Sequence, residues 1–373
     1  RLAEGRVKIR LLGQRNALGG GVHFAEFANE LKSLRLLGSV VEEVDAAQLP
    51  ALEDAVRRST PEDVNIWFWR HPAVSFVKGT RVLWAIFESD RLPADYVAYL
   101  RDNAHVVWVP SEWGKGVLVE AGIDPAIIDV VPEGVNPRNY HPFLRAKREP
   151  GAKPFRFLSV GKYEERKAYR ALLEGFSQAF GNDPDVQLIL KADYFLKFEQ
   201  KKAELEALVR SMGLSNVQML WGEFNPDMLF ALYNHADAFV FPSRAEGWGL
   251  PLIEAMATGL PTITTFYSGH TEFLRHVESS ILKVDYDLEV IDDPEFHGYW
   301  PKLRETGARW AAPRVESIAA QLRRVIDEHA RWNDAAAQAS DALRLGFSWR
   351  QAAERGYARL RARGIAGISV KFG

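Results

Sequence analysis

Two glutamates with the spacing E-x7-E are the most informative chemical feature of the sequence. Glu246 lies in a glycine-rich loop after an apolar strand at residues 238–241, and Glu254 lies one turn inside the helix that follows. Glycines let backbone N–H groups approach an oxyanion closely, and a helix N-terminus favours phosphate. The residues that open the stretch between the two glutamates are Gly247, Trp248, Gly249 and Leu250. Because carboxylates accept hydrogen bonds from hydroxyl groups, the pattern predicts a site for a hydroxyl-rich, phosphorylated ligand; the structural alternative is a tight turn with a solvated Glu254.

A basic pair is placed where it could neutralise such a phosphate. Arg166 and Lys167 follow Gly161 in a G-x4-R-K pattern, directly after an apolar strand at residues 155–160. Arginine offers a planar bidentate fork and lysine a compact point charge, and both stabilise a departing phosphate in the transition state. Taken alone, the pair would indicate solvated charge. Together with the downstream glutamates it indicates an anion site.

The wider motif around the glutamates is P-S-x-x-E-G-W-G-L-P-x-x-E-A-M-A-x-G-x-P. With the G-x4-R-K pattern, it resembles retaining GT-B glycosyltransferases of the family 4 type, which use nucleotide sugars and include glycogen synthases, sucrose synthases and bacterial mannosyl- and glucosyltransferases. The resemblance implies transfer of a hexosyl unit from a nucleoside diphosphate sugar to a hydroxyl acceptor in glycan, polysaccharide or glycolipid synthesis. A donor phosphate oxygen would help to take the acceptor proton, so no enzyme nucleophile is needed.

The same resemblance assigns roles to individual residues. Arg166 and Lys167 would hold the diphosphate and act in catalysis with Glu246, which would contact the sugar together with the backbone of residues 247–250. Glu254 would bind the ribose. Gly161 is also counted among the donor-binding residues.

Further donor contacts implied by the resemblance lie in other loops. Gly20 and Gly21, in a glycine run between the first strand and a helix, are similar to the family's N-terminal glycine loop, which lies against donor phosphate and acceptor. The nucleotide base would be bound at residues 191–194 and at Gly222 and Phe224. These segments show no readable preference for uridine, guanosine or adenosine.

The chain departs from the family in its first half. Many relatives have a histidine that contacts the donor sugar in the stretch that is residues 82–90 here, and this chain has Glu88. A carboxylate could bind a sugar hydroxyl or the acceptor, but close to the diphosphate it would repel the donor. His71 is an alternative first-domain contact, and it can equally be a histidine at the surface or at a helix start.

Short apolar runs alternate with segments of helical period, which is typical of parallel sheets covered by helices. The predicted strands are residues 7–12, 64–69, 81–87, 106–109, 129–131, 155–160, 186–190, 217–221, 238–241 and 262–265. The predicted helices are residues 24–37, 169–180, 201–212, 252–259, 315–330 and 349–363, and residues 285–301 are predicted to be a loop. The expected fold class is α/β.

The resemblance implies two facing Rossmann-like domains with a donor cleft between them. The expected parts are an acceptor domain at residues 1–143, a linker at 144–154, a nucleotide-sugar-binding domain at 155–345 and a C-terminal helix at 346–373 that returns to the first domain. In 373 residues, at about 150 per domain, two to three domains are expected.

Composition excludes several classes of protein. The absence of cysteine excludes a disulfide scaffold, a thiolate zinc site and a cysteine nucleophile. A formal charge of -2 provides no global attraction to nucleic acid. There is no closely spaced histidine pair, and GT-B enzymes resemble one another in using protein cations on the diphosphate, so no metal or other cofactor is expected. Without a long apolar run or a signal-peptide pattern, we expect a cytoplasmic protein.

Three alternatives stay open. The final helix is basic, and its arginines form either a solvated face or a contact with a polyanionic acceptor or with anionic lipid at the inner face of the membrane. A nucleotide-sugar epimerase of the same fold would need no acceptor. A non-catalytic GT-B subunit that binds a partner or glycan is supported by Glu88 alone, and the retention of both motifs argues against it.

Overall fold

The structure is a computed structural model that describes residues 7–16, 18–34, 36, 38–144, 151–193 and 197–365. Contacts divide the chain into two compact units. The first unit comprises Arg1–Phe87, Arg91–Gly134 and Phe347–Gly373. The second unit comprises Glu88–Asp90 and Val135–Gly346. Of the predicted linker at 144–154, residues 145–150 lie outside the described part.

The first unit is built on a parallel sheet with strand order β2-β1-β3-β4-β5-β6. Its strands are β1 (Val7–Gly13), β2 (Ser39–Asp45), β3 (Val64–Trp67), β4 (Thr80–Trp84), β5 (Val106–Val109) and β6 (Ile128–Val130). Its helices are α1 (Gly19–Ser33), α2 (Leu49–Arg57), α3 (Ala94–Asn103), α4 (Glu112–Glu120) and α13 (Trp349–Ala362), with short 3-10 helices at Pro72–Phe76 and Pro125–Ile127. Strand β5 is a continuous apolar run, as expected in a parallel sheet whose two faces are covered by helices, whereas β1 and β3 contain the buried polar residues Arg10 and Asn65.

Two features of the first unit differ from the sequence-based expectation. Strand β2 was not predicted, because Glu42 and Glu43 interrupt its apolar run; it lies at the sheet edge, where these carboxylates pair with arginines. The glycine run was predicted as a loop, but α1 begins at Gly19, so Gly20 and Gly21 form its first helical turn. Leu37, the predicted end of that helix, lies outside the described residues, and α1 ends at Ser33.

His23 is a buried polar residue inside the aromatic core of the first unit. Its ring packs edge-on against Trp84 at 4.2 Å and stacks on Trp349 of α13 at 5.5 Å. Its Nδ1 lies 3.8 Å from the Glu133 carboxylate. Burial nevertheless lowers the pKa of His23 to about 3, so the imidazole is neutral in the folded chain at neutral pH.

This neutral histidine predicts a pH-dependent stability. Below an unfolded pKa of about 6.5 the unfolded chain binds a proton that folded His23 does not, so the free energy of unfolding falls as pH falls, by about 1.4 kcal/mol per pH unit. We expect His23→Gln to reduce the slope by about this amount between about pH 6 and pH 5, where most carboxylates are still ionised. Urea unfolding followed by tryptophan fluorescence measures it, with the exposed His276→Gln as control. An unchanged slope in His23→Gln would contradict the assignment.

The second unit has a parallel sheet with strand order β12-β11-β10-β7-β8-β9 and a separate antiparallel hairpin of β13 and β14. Its strands are β7 (Phe155–Lys162), β8 (Val186–Asp193), β9 (Val217–Leu220), β10 (Ala238–Phe241), β11 (Thr262–Thr265), β12 (Ile281–Val284), β13 (Tyr286–Val290) and β14 (Arg309–Pro313). Its helices are α5 (Tyr169–Phe180), α6 (Phe198–Ser211), α7 (Pro226–His235), α8 (Leu250–Ala257), α9 (Thr271–Leu274), α10 (Pro294–Tyr299), α11 (Val315–Asp327) and α12 (His329–Gly346). Short 3-10 helices lie at Pro142–Leu144, Glu165–Lys167, Arg275–Ser280 and Leu303–Thr306.

The segment predicted as a loop at residues 285–301 was wrongly assigned. It contains β13 and α10, and β13 pairs with β14. The apolar residues that bury this insertion, Trp310 and Phe296 among them, pack on Ala245 rather than on the main sheet. The predicted helix at 315–330 is also two helices, α11 and α12, which are separated at Glu328.

The residues on either side of the second sheet group with different units. Residues 135–143 group with it because Tyr140 packs edge-on against Tyr233 and His141 contacts Phe230. The final helix, α13, groups with the first unit, where Arg363 forms a bidentate pair with Asp129 at 2.7 and 3.0 Å. Within the described residues, no helix is both long and apolar enough to cross a membrane.

Candidate functional site

The candidate site lies where the strand order of the second sheet reverses. The chain proceeds from β7 outward to β8 and β9, then returns to β10, which lies on the other side of β7. Ligands of open α/β sheets bind at the carboxyl ends of strands at such a reversal. The loop after β7 carries Arg166 and Lys167, and the loop after β10 carries Glu246. Strand order therefore brings the two sequence motifs together.

The contact between the motifs is direct and buried. Lys167 Nζ lies 2.6 Å from Glu246 Oε1, and Arg166 Nη1 lies 3.1 Å from Glu246 Oε2. Arg166 Nη1 also donates to the Ala245 carbonyl at 2.7 Å, and the Arg244 backbone N–H donates to the Arg166 carbonyl at 2.8 Å. The side chain of Lys167 packs against Gly161, and the Gly161 carbonyl accepts a hydrogen bond from the Tyr169 hydroxyl at 2.7 Å.

Two further carboxylates approach the same guanidinium. Arg166 Nη2 lies 3.1 Å from Glu164 and 3.7 Å from Glu88. We call these five residues, Arg166, Lys167, Glu88, Glu164 and Glu246, the Arg166 cluster. With every group ionised, three carboxylates face two cations, and the cluster carries a formal charge of about -1. The position of Glu88 beside Arg166 corrects the expectation that it lies in the first domain, since its segment groups with the second unit.

The pKa values of the cluster reflect this mutual compensation. Burial disfavours the charged form of Glu246, but Lys167 and Arg166 outweigh it and lower the pKa of Glu246 to about 2. Burial likewise opposes the charge on Arg166, yet the carboxylates around it raise its pKa above its usual value. For Lys167, burial lowers the pKa, and Glu246 offsets this only in part. The carboxylate and the guanidinium are therefore ionised at neutral pH.

The loop at residues 242–249, which we call the glutamate loop, is fixed by residues that sequence reasoning did not single out as functional. Ser243 donates a short hydrogen bond to the Glu246 carboxylate, and Ser268 Oγ accepts from the Glu246 backbone N–H at 2.8 Å. Ser268 has a φ of 69°, in the left-handed region that non-glycine residues seldom adopt and that occurs at functional sites. Gly249, with a φ of 94°, lets the loop turn into α8. Ser243 stood within the quoted motif, which was the available signal.

Three other residues of the motif, Glu254, Trp248 and Leu250, have different environments. Tyr233 donates a hydrogen bond to Glu254 Oε2 at 3.0 Å, so Glu254 is held by α7. Trp248 is buried, and its ring packs edge-on against Phe273 at 5.0 Å. Its side chain is part of the core, which leaves only its backbone for a ligand. Leu250 begins α8 and is half-buried.

Gly222 and Phe224 meet a buried lysine at the end of β8. Lys191 donates to the Gly222 carbonyl at 2.7 Å, contacts the Asp193 carboxylate and lies 4.5 Å from the centre of the Phe224 ring. Because β8 is the neighbour of β7, with Gly161 paired to Ala192, this group adjoins the Arg166 cluster along the sheet edge. Tyr194, the last residue of the predicted base-binding segment, lies outside the described residues.

The other predicted contacts belong to the first unit. Gly20 and Gly21 lie in the first turn of α1, and the indole of Trp69 packs against Gly20. His71 stacks on Trp67 at 5.4 Å, and its Nδ1 accepts a hydrogen bond from the Ala73 N–H at 3.1 Å. His71 therefore caps a 3-10 helix, which is the helix-start role named as its alternative.

Solved structures identify the class of fold. HepE of Anabaena, in complex with UDP and glucose, matches with a TM-score of 0.67 at 15% identity, covering 96% of this chain and all of that chain. Sucrose-phosphate synthase of Thermosynechococcus elongatus matches with a TM-score of 0.68 at 17% identity, covering 96% of this chain and 99% of that one. The predicted α/β class is confirmed, and the fold is GT-B.

Sequence comparison then shows which proteins the chain resembles. Residues 141–293 match the model described as glycosyl transferases group 1. Mannosylfructose-phosphate synthase of Agrobacterium fabrum is 26% identical over 240 residues, which are 62% of this chain and 52% of that protein. The chain spans about half the length of the first curated relatives it matches. The matched segment is similar to group 1 glycosyltransferases, and this similarity agrees with the resemblance to GT-B glycosyltransferases of the family 4 type.

Proposed function

We propose that the chain transfers a hexosyl unit from a nucleoside diphosphate sugar to a hydroxyl acceptor, with retention of anomeric configuration. The observation that carries the proposal is the contact of Lys167 and Arg166 with the Glu246 carboxylate, which joins the two motifs in one buried cluster. Negative charge develops on a departing diphosphate, and fixed cations in a site of low dielectric stabilise it. The GT-B fold and the match to the group 1 model support the same reaction.

The proposed reaction exchanges one bond to the anomeric carbon for another. The bond from that carbon to the β-phosphate oxygen breaks, the acceptor oxygen bonds to the same carbon on the same face, and the acceptor proton passes to the departing phosphate. Arg166 and Lys167 neutralise the diphosphate. Glu254 binds the ribose, while Glu246 and the backbone of residues 247–250 bind the sugar. No covalent intermediate with the protein is needed.

We further propose that the transfer reaction requires no metal ion. Two protein cations at the diphosphate supply the charge stabilisation that a magnesium ion supplies in other phosphoryl sites. The acceptor is a hydroxyl of a glycan, a lipid-linked sugar or a small molecule. UDP-glucose is the first donor to test, because HepE, whose fold this chain shares, has been solved in complex with UDP and with UDP-glucose.

A thermal-shift panel tests the proposal. UDP, GDP, ADP and their sugar conjugates are added in the presence of EDTA to the wild type and to the double variant Arg166→Ala, Lys167→Ala. Ligand at about 100 times its dissociation constant adds about 2.7 kcal/mol, which raises the melting temperature by a few degrees. We expect a shift with one base, kept in EDTA and lost in the double variant. The control is Arg323→Ala with Arg324→Ala, an exposed basic pair of the same unit, which should keep the shift.

Other outcomes distinguish the alternatives. No shift with any nucleotide at millimolar concentration, in folded protein, would contradict the proposal and favour a non-catalytic binding subunit. Conversion of the nucleotide sugar without acceptor, beyond slow hydrolysis, would favour an epimerase. A shift that disappears in EDTA and returns with magnesium would contradict independence from metal.

A further inference from the structure

The segment Glu88–Asp90 is fixed by strand β14. Trp310 Nε1 donates to the Glu88 carbonyl at 2.6 Å. The backbone N–H of Arg309 donates to Asp90 Oδ1 at 2.6 Å, and Arg309 Nε donates to Asp90 Oδ2 at 2.9 Å. These three hydrogen bonds hold the two ends of the segment on adjacent residues of one strand, so the position of Glu88 depends on the β13–β14 hairpin.

The hairpin is itself joined to the glutamate loop. The Ala311 N–H donates to the Arg244 carbonyl at 3.0 Å, and the Arg244 guanidinium lies 5.8 Å from the centre of the Trp310 ring. Arg244 also pairs with Glu165 and with Glu289 of β13, each at 2.8 Å. Hydrogen bonds and ion pairs therefore join the hairpin, the glutamate loop and the 3-10 helix Glu165–Lys167, and this framework holds Glu88 beside Arg166.

Among the carboxylates of the Arg166 cluster, Glu88 is the one whose contact with Arg166 a ligand would most easily replace. Its side chain is 27% exposed, against 19% for Glu164 and 7% for Glu246. It is also the farthest from the guanidinium, at 3.7 Å against 3.1 Å for the other two. An incoming anion at Arg166 meets Glu88 as a like charge, and this repulsion weakens binding unless the ligand also gives Glu88 a hydroxyl group to accept.

We propose that Asp90, Arg309 and Trp310 are positioning residues that hold Glu88 beside Arg166, where Glu88 favours a nucleotide that carries a sugar over the free nucleoside diphosphate. The inference rests on the proposed function, because it concerns the same diphosphate site. A free nucleoside diphosphate leaves the charge of Glu88 uncompensated, whereas a sugar hydroxyl can donate a hydrogen bond to it. The position of Glu88 therefore raises the affinity for the nucleotide-sugar donor relative to the affinity for the nucleoside diphosphate product.

Calorimetric titration tests this proposal. The wild type is first titrated with UDP, GDP and ADP and with UDP-glucose, GDP-mannose and ADP-glucose, and the variants are then titrated with the two nucleotides whose base binds the wild type. We expect Glu88→Gln to raise the affinity for the free nucleoside diphosphate by about fivefold. The ratio of the affinity for the sugar conjugate to the affinity for the free nucleoside diphosphate should therefore fall. Arg309→Ala should change the same ratio in the same direction. In the Glu88→Gln background it should have no further effect, because Arg309 acts through Glu88.

Further variants separate positioning from general loss of structure. Asp90→Asn keeps the size of the side chain and should repeat the Arg309→Ala effect, and Arg309→Lys should restore part of the ratio. The matched control is Arg314→Ala, which removes an arginine paired bidentately with Asp287 of β13 in the same hairpin and should leave the ratio unchanged.

The contradicting results are distinct from failure of the proposed function. If Glu88→Gln leaves both affinities unchanged, Glu88 does not set the preference. If Glu88→Gln changes the ratio but Arg309→Ala and Asp90→Asn do not, the hairpin does not position it. If the wild type binds none of the six nucleotides, the proposed function fails and the inference falls with it.

Discussion

Replacing Glu246 with glutamine is expected to lower the rate of glycosyl transfer by about 100- to 1,000-fold. Glutamine keeps the size of the side chain, but it places an amide where the carboxylate contacts Lys167 at 2.6 Å and Arg166 at 3.1 Å. Loss of charge-assisted contacts to two cations corresponds to about 3 to 4 kcal/mol, and each 1.4 kcal/mol is a factor of ten in rate. The measurement is release of nucleoside diphosphate in the presence of the acceptor found by screening.

The protonation state of Glu246 does not complicate this experiment. Because the neighbouring cations hold its pKa at about 2, the wild-type residue is ionised across the pH range of an activity assay. A loss of rate in the variant therefore reports the missing charge at every pH tested. Glu278→Gln, which changes an exposed glutamate paired with Lys283 in the same unit, is the control. Retention of a third or more of the wild-type rate by Glu246→Gln would refute the role.

The strands that the sequence predicted best are those buried on both faces. The bounds of β5, β10 and β11 agree with the prediction, because runs such as V-V-W-V and A-F-V-F have no exposed face to interrupt the apolar pattern. Strand β2 was missed because Glu42 and Glu43 are stabilised by Arg10 and Arg15 of other segments, and such partners are not visible in a local window. The β13–β14 hairpin was missed for a similar reason, since its core contact is Ala245.

The same limit applies to the candidate site. The motifs around Glu246 and Arg166 were visible because their residues are close in sequence and resemble a known pattern. The fourth and fifth members of the cluster have different origins: Glu164 is a variable position of the G-x4-R-K pattern, two residues before Arg166, whereas Glu88 is brought there by a hairpin. Glu88 was expected to be a first-domain contact, but three hydrogen bonds to β14 hold its segment next to Arg166. Local sequence cannot contain this information, because it depends on long-range pairing.

Replacing Gly269 with alanine is expected to destabilise the second unit by about 3 kcal/mol and to impair the site together with the fold. A Cβ at Gly269 would lie 2.0 Å from the Gly247 carbonyl oxygen and 2.7 Å from the Glu246 carbonyl oxygen, so the backbone of the glutamate loop would have to move. The Gly269 N–H now donates to that Glu246 carbonyl at 2.9 Å. Displacement of the loop would carry the Glu246 carboxylate away from Lys167.

Urea unfolding and the transfer assay together measure this effect. Gly298→Ala is the matched control, because a Cβ there meets no atom of the described residues within 4 Å and its helix favours alanine over glycine. If Gly269→Ala were as stable and as active as Gly298→Ala, the glutamate loop would tolerate displacement, and the close backbone packing would not be what fixes Glu246. A loss of transfer larger than the loss of folded protein would instead show that the packing at Gly269 sets the geometry of the Glu246 carboxylate as well as the stability of the unit.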